Sequence, residues 1–358
     1  MSHIKLFIPG PIEVSAKTMA AFSKPMLGHR SKDFQNLYAA IQPGLQKLFA
    51  TKQPVFVSTS SAWGVMEGAI RNLVSKKVLN CMNGAFSDKW FDVSVRCGKQ
   101  AEKLQVEWGK PIRGADVEAR LKTGEFDAVT IIHSETSTGT MSNLAELGEV
   151  ARRYPDVSFI VDCVSSFSAI ATPFDELGFD VLLAGTQKAL ALPPGSSVFT
   201  VSDRALAKAA KQADRGYYFD FVEFKKNHDT SMTPSTPSIG HFYALQSKLE
   251  DIEAEGLENR YARHLKNATI VRAWAKDRGF DLFPESGYET IGLTCVKNTR
   301  IIDVPKLIAH VKANHQAVFD GGYGKVKGTT FRLSHMGDES TANIEQLLGW
   351  LDEGLKSL

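Results

Sequence analysis

Val129-Thr-Ile-Ile-His133, Phe159-Ile-Val-Asp162 and Val181-Leu-Leu-Ala184 are short apolar runs, each giving way to polar residues at its C-terminal end. Runs of this length and composition read as strands buried on both faces. The alternation continues on either side of them. Pro54–Ser58, Lys77–Cys81, Ala101–Glu107 and Ser197–Val201 read as further strands, and Ala62–Val74, Asp88–Arg96, Leu144–Tyr154 and Asp203–Ala210 as helices between them. In the first of these helices Val65, Ala69, Ile70 and Leu73 share one stripe. Strands alternating with helices imply an α/β fold with a mostly parallel sheet, because parallel pairing needs a crossover that a helix supplies.

The signature changes in the last third. Gly216–Pro237 is polar and aromatic, carries Pro234 and Pro237, and is expected to be an extended loop. Phe242–Arg278 is a long helical pattern bent near Gly256. Beyond it Thr290–Val296 and Thr329–Leu333 read as strands, with Val304–Asn314 and Asn343–Leu355 as helices, which makes a small C-terminal α+β domain.

Composition narrows the function classes. The 358 residues are 43% hydrophobic and 23% charged, so the chain has the composition of a folded globular protein. The balance of 42 basic and 40 acidic residues is +2, and no basic run exceeds two residues, which argues against nucleic acid as a partner. Cys81, Cys97, Cys163 and Cys295 are scattered, with no spacing for a metal site or disulfide frame; no metal is expected. No apolar run reaches the ~18 residues of a membrane span, and the N-terminus lacks a secretory apolar region, so a cytoplasmic location and no membrane partner are expected.

In parallel sheets ligands bind outside the carboxyl ends of the strands, so the polar residues there come first. Lys188 follows the strand Val181–Leu183 within Ala184-Gly-Thr-Gln-Lys188. An amine at the mouth of a buried strand is desolvated, which lowers its pKa and makes it a nucleophile toward carbonyls; a solvated loop lysine is the plain alternative. Asp162 ends a neighbouring run and reads equally as a helix N-cap. Together, an amine and a carboxylate at adjacent strand ends are the pair a pyridoxal 5'-phosphate (PLP) site requires. Ser58-Thr-Ser-Ser-Ala-Trp-Gly64, between a strand and a helix, offers hydroxyls and free N–H groups to a phosphate. It is no Walker loop, and Gly321-Gly-Tyr-Gly324 neither follows a clear strand nor opens a helix, which disfavours ATP and NAD.

The whole arrangement resembles the class V, fold type I, PLP-dependent aminotransferases of the alanine–glyoxylate, serine–pyruvate and serine–glyoxylate branch. The resemblance runs from Phe7-Ile-Pro-Gly-Pro11 to Thr330-Phe-Arg-Leu-Ser-His-Met-Gly-Asp338. It rests on five stretches in the family's order: Gly28-His-Arg-Ser31, Asn83-Gly-Ala-Phe86, His133-Ser-Glu-Thr-Ser-Thr-Gly139, Val161-Asp-Cys-Val-Ser-Ser166, and Gly185-Thr-Gln-Lys-Ala-Leu-Ala-Leu-Pro-Pro-Gly195. It implies an N-terminal arm over residues 1–15, and a large cofactor domain over 16–250 built on a mostly parallel seven-stranded sheet. A linker helix and small domain over 251–358 complete it.

The resemblance also implies roles. Lys188 matches the lysine joined to the cofactor, and Asp162 the partner of its ring nitrogen. Phe86 and Val164 match the residues on the two ring faces, and Thr136 the hydroxyl at the 3-oxygen. Ser61, Ala62, Trp63 and Gln187 match the phosphate positions; Trp63 stands where the family has a small or hydroxyl residue, so its backbone is the expected contact. Thr236 matches a threonine sent across a homodimer interface to the neighbouring phosphate. Arg332 matches the clamp of the substrate α-carboxylate, Gly10 an N–H donor to the same group, and His29 and Arg30 the entrance. The implied reaction is transamination between a small amino acid (alanine or serine) and a small 2-oxo acid (glyoxylate or pyruvate). Three alternatives stand behind it. Phosphoserine transamination would use His29-Arg30 but lacks a second basic pair at Phe319–Tyr323. A cysteine desulfurase would need a mobile catalytic cysteine, and Cys295 lies in an expected strand. A non-catalytic subunit would have no need of Lys188, Asp162 and Arg332 together.

Overall fold

The computed structural model describes residues 3–358, so the first two residues of the expected N-terminal arm lie outside the described part. Its strands, in chain order, are β1 (Lys5–Phe7), β2 (Val55–Ser58), β3 (Lys77–Met82), β4 (Gln100–Gln105), β5 (Ala128–Ile132), β6 (Ser134–Glu135), β7 (Thr140–Met141), β8 (Ser158–Asp162), β9 (Val181–Gly185), β10 (Ser197–Val201), β11 (Asp281–Leu282), β12 (Leu293–Lys297), β13 (Ala317–Phe319) and β14 (Thr330–Ser334). A seven-stranded sheet runs in the order β2-β10-β9-β8-β5-β3-β4. Only β10 is antiparallel to its neighbours. The mixed α/β architecture of the sequence reading is the one observed.

The sheet is buried on both faces, as its apolar runs require. Leu79, Val129, Ile131, Phe159, Val161 and Leu182 belong to one core, and Val78, Ala128, Ile132, Ile160, Val181 and Leu183 to the other. That partition follows residue parity, because successive side chains of a strand point to opposite faces. A third core gathers around the three-stranded sheet β11-β12-β14 and includes Phe7, Val296, Phe331, Leu333, Ile344 and Leu347. Gly256, at φ +80°, separates the helices Ile239–Glu255 and Leu257–Asp277. Among the described residues no helix is long and apolar enough to cross a membrane.

Some elements differ from expectation. Gly216–Pro237 is not loop throughout: a helix spans Phe221–His228, started by the Asp220 carboxylate, which accepts from the Val222 N–H, and anchored by buried Phe221 and Phe224. The helix expected from Asp88 begins at Ala85, where the Ser87 hydroxyl accepts from the backbone N–H of Asn83 and Gly84. An 18-residue helix, Lys32–Phe49, was not foreseen. Its buried Phe34, Leu37, Tyr38, Ile41, Leu45 and Leu48 follow the three- and four-residue spacing that marks an amphipathic helix, so the signal was present in the chain.

Candidate functional site

The C-terminal ends of β5, β8 and β9 converge on one cavity. Register places Asp162 opposite Ile132 on one side and Leu183 on the other, so the last residue of β8 stands at the sheet edge between two apolar strands. Lys188 arrives three residues after β9 ends. The cavity, of about 80 Å³, is lined by Ser61, Ala62, Trp63, Met66, Phe86, Ile132, Ser134, Thr136, Asp162, Val164, Ser165, Gln187 and Lys188. Larger clefts lie elsewhere, one of about 250 Å³ along the helices at Gly44 and Leu249 and one of about 600 Å³ beside Met141–Ala145. The first is lined by Lys47, Glu250 and Glu253, all exposed, and the second by no lysine or carboxylate, so neither sets a buried amine beside a buried carboxyl group and volume is a poor guide here.

Nine of the residues singled out from sequence therefore share one wall: Ser61, Ala62, Trp63, Phe86, Thr136, Asp162, Val164, Gln187 and Lys188. Gly10 is close against them, since a Cβ on it would fall 2.8 Å from Lys188 Cδ, and its φ of +135° is one that other residues rarely adopt. Arg332, on β14, is buried and reaches the cavity rim, where its Nη1 donates to the Thr136 carbonyl at 2.9 Å. The other three lie outside. His29 is half-buried, Arg30 and Thr236 are exposed, and none of them lines the cavity of its own chain. Trp63 is among the residues lining the cavity, and Lys89 Nζ lies 5.0 Å from the centre of its ring.

Burial sets the charge states. Lys188 Nζ lies 3.5 Å from Thr136 Oγ1 and 5.8 Å from the centre of the Phe86 ring. Its pKa is lowered to about 8, first by burial and then by the Arg332 cation, against the pull of Asp162, Glu135 and Asp320. The Asp162 carboxyl is pushed up to about 7, chiefly by burial, despite a hydrogen bond of 2.6 Å from the Val164 N–H and the nearby Lys188. Two further polar groups are uncommitted, the first at a place suited to an anion. Ser61 precedes the 12-residue helix Ala62–Leu73, yet its hydroxyl makes no capping hydrogen bond and stays available at a positive helix end. Gln187 Oε1 is buried without a partner, an acceptor for which the protein itself supplies no donor.

Sequence reasoning missed four residues. Buried Glu135 accepts from the N–H of Ser87 at 3.0 Å and of Ser137 at 3.1 Å, pinning the start of the helix that carries Phe86. It lay inside a stretch already singled out, and a carboxylate on a buried strand was its signal. Ser165 hydrogen-bonds Thr136 Oγ1. Asp320 accepts from Arg332 Nε at 2.8 Å, and Tyr323 stacks parallel to Phe86 at 5.3 Å with 6° between the planes. Both stand on the segment after β13, about 230 residues from Phe86, and no local pattern announces that meeting.

Comparison with known proteins agrees with this geometry. The family description "Aminotransferase class-V" matches residues 16–277. An uncharacterised aminotransferase of Methanocaldococcus jannaschii is 34% identical over 358 residues, covering 99% of this chain and 93% of that protein. A serine–glyoxylate aminotransferase of Methylorubrum extorquens is 33% identical over 350 residues, 93% of this chain and 86% of the other. The crystal structure of an alanine–glyoxylate aminotransferase from Nostoc sp. superimposes with a TM-score of 0.93 at 27% identity, over 99% of this chain and 96% of that one.

Proposed function

The chain belongs to the class V aminotransferases, and from that premise we propose that it is a PLP-dependent enzyme moving the amino group of alanine or serine to glyoxylate or pyruvate. The observation that carries this reading is the meeting of Lys188 and Asp162 in one cavity, an amine and a carboxyl group contributed by adjacent strand ends. Nothing in the folding of a sheet requires two ionisable groups to face a common space there, since burying each one is costly.

The residues present fit the cofactor. Ser61, Ala62 and Trp63 at the helix start, with Gln187, would hold its phosphate; the uncommitted Ser61 hydroxyl at a helix N-terminus is the feature that supports this. Phe86 and Val164 would flank the ring, Asp162 would face its nitrogen, Thr136 its 3-oxygen, and Lys188 would bind its aldehyde carbon. When bound, PLP supplies an electron-accepting ring that lets a bond at the amino acid's Cα break heterolytically. Lys188, with a pKa near 8, is suited to accept a proton from Cα and return it elsewhere at neutral pH. Asp162 keeps a proton on the group it faces. Arg332 would take the α-carboxylate, with Gly10 beside it. Thr236, exposed in its own chain, would complete the partner's phosphate site in a homodimer. We divide the chain as an arm (1–15), a large domain (16–250), and a linker helix with a small domain (251–358).

Two observations weigh against the alternatives. At the place where phosphoserine would need a second basic pair, Asp320 brings a carboxylate to Arg332 instead. Cys295 is buried in β12 and burial pushes its thiol up to about 12, the wrong state for a desulfurase nucleophile. The test is to mix purified protein with PLP, record the visible band, and follow its loss with alanine, serine, phosphoserine and glutamate separately. Bleaching by alanine or serine is expected, and Lys188→Ala should show neither band nor turnover. A fully active Lys188→Ala protein would refute the assignment.

A further inference from the structure

Resting on the reading above, we infer that Asp320 makes this site discriminate against acidic amino donors, so that the substrates are neutral amino acids. Arg332 is almost fully buried, and its charge is already shared. Nε donates to Asp320 Oδ1 at 2.8 Å, Nη2 lies 2.7 Å from the same oxygen, and Nη1 donates to the Thr136 carbonyl at 2.9 Å. A guanidinium has five N–H groups, so at least two remain, enough for one carboxylate held by two bonds. The backbones of the two residues are bonded as well, Arg332 N–H to Asp320 O at 2.8 Å, so carboxylate and guanidinium are fixed as a unit.

Asp320 Oδ1 also accepts from the Gly322 N–H at 2.8 Å, while no hydrogen bond among the described residues reaches Oδ2. One cation thus faces a resident anion before any substrate arrives. An α-carboxylate on the remaining N–H groups makes two anions for one cation; a second carboxylate on the donor's side chain would make three. Tyr323 covers the guanidinium, its ring centre 5.7 Å from Arg332 Cζ, and stacks on Phe86, which limits the water available to screen that repulsion.

Asp320→Asn keeps an oxygen for Arg332 and Gly322 and removes the charge. In the holoenzyme with glyoxylate as acceptor, the wild-type protein should prefer alanine to aspartate. Asp320→Asn should narrow the ratio of kcat/KM values by about tenfold or more, mainly through the KM for aspartate, as expected for like charges close together. In parallel, propionate and succinate are titrated into both holoenzymes by calorimetry. Succinate should bind the wild type more weakly than propionate, and Asp320→Asn should gain about tenfold for succinate alone. An unchanged donor ratio, or unchanged succinate affinity, overturns the inference while leaving transamination intact. If no donor reacts, the calorimetric arm still decides the matter, and it is the proposed function that fails. Should the variant not fold, equal binding of succinate and propionate by the wild type overturns the inference alone.

Discussion

Removing the Arg332 charge should raise the pKa of Lys188, and the size of the resident effect can be worked out. A lysine at its ordinary 10.5 is about 0.03% neutral at pH 7; at about 8 it is about 10% neutral, a gain of about 300-fold, equivalent to ~3 kcal/mol. Burial is the larger cause and Arg332 the second, with Asp162, Glu135 and Asp320 opposing. The assay is competitive labelling of cofactor-free protein with an amine-reactive reagent between pH 5 and 11, read at the Lys188 peptide by mass spectrometry against exposed lysines of the same digest. Labelling should rise with a midpoint near pH 8 in the wild type and at higher pH in Arg332→Gln. The sign for stability follows. A base whose folded-state pKa is lowered takes up a proton on unfolding, so the fold is penalised below about pH 8 and recovers as pH rises toward 10.5. Lys188→Met should accordingly stabilise the cofactor-free protein at pH 7 by ~1–3 kcal/mol, the range allowing for partial exposure of the side chain. A labelling midpoint near 10.5, or one unmoved by Arg332→Gln, refutes the reasoning.

Other expectations concern neighbours of that amine. Asp162 is an acid with its folded-state pKa raised to about 7, so stability is lost as pH climbs from about 3.8 through 7. Asp162→Asn should raise the melting temperature of cofactor-free protein at pH 8 while weakening PLP uptake, measured by fluorescence titration. Gly84→Ala would set a Cβ 2.2 Å from Glu135 Cγ and should cost ~1–3 kcal/mol in urea unfolding, with looser PLP binding because Phe86 shifts. Buried His133 and His264 are both held neutral down to about pH 3 by burial, so stability should decline as pH falls from 6.5, where only the unfolded rings protonate. His264→Gln should flatten that decline in acid titrations followed by circular dichroism.

The cavity wall was legible along the chain because each β-α unit ends in the same way: a buried strand, then polar residues at a common sheet edge. Asp162 is the last residue of one such strand and Lys188 comes three residues after the next, which is why two points 26 positions apart could be paired without coordinates. The helix at Phe221–His228 was hidden by its setting between glycine, proline and charged residues, where only the burial of Phe221 and Phe224 on the sheet makes a helix favourable. Glu135 was invisible as an organiser, because its value lies in reaching back to amides at Ser87, 48 residues earlier.

Periodicity, strand-end chemistry and motif order in the amino-acid sequence alone determined the α/β sheet, the family and most of the cavity wall. Those signals are local, set by the two-residue repeat of strands and by side chains that follow them directly. Only tertiary structure decided the charge environment of the amine and the company Arg332 keeps. Asp320 meets Arg332, and Tyr323 meets Phe86, because the segment after β13 folds back over the cavity. Desolvation and Coulomb interaction depend on such distances through space, which spacing along a chain does not contain.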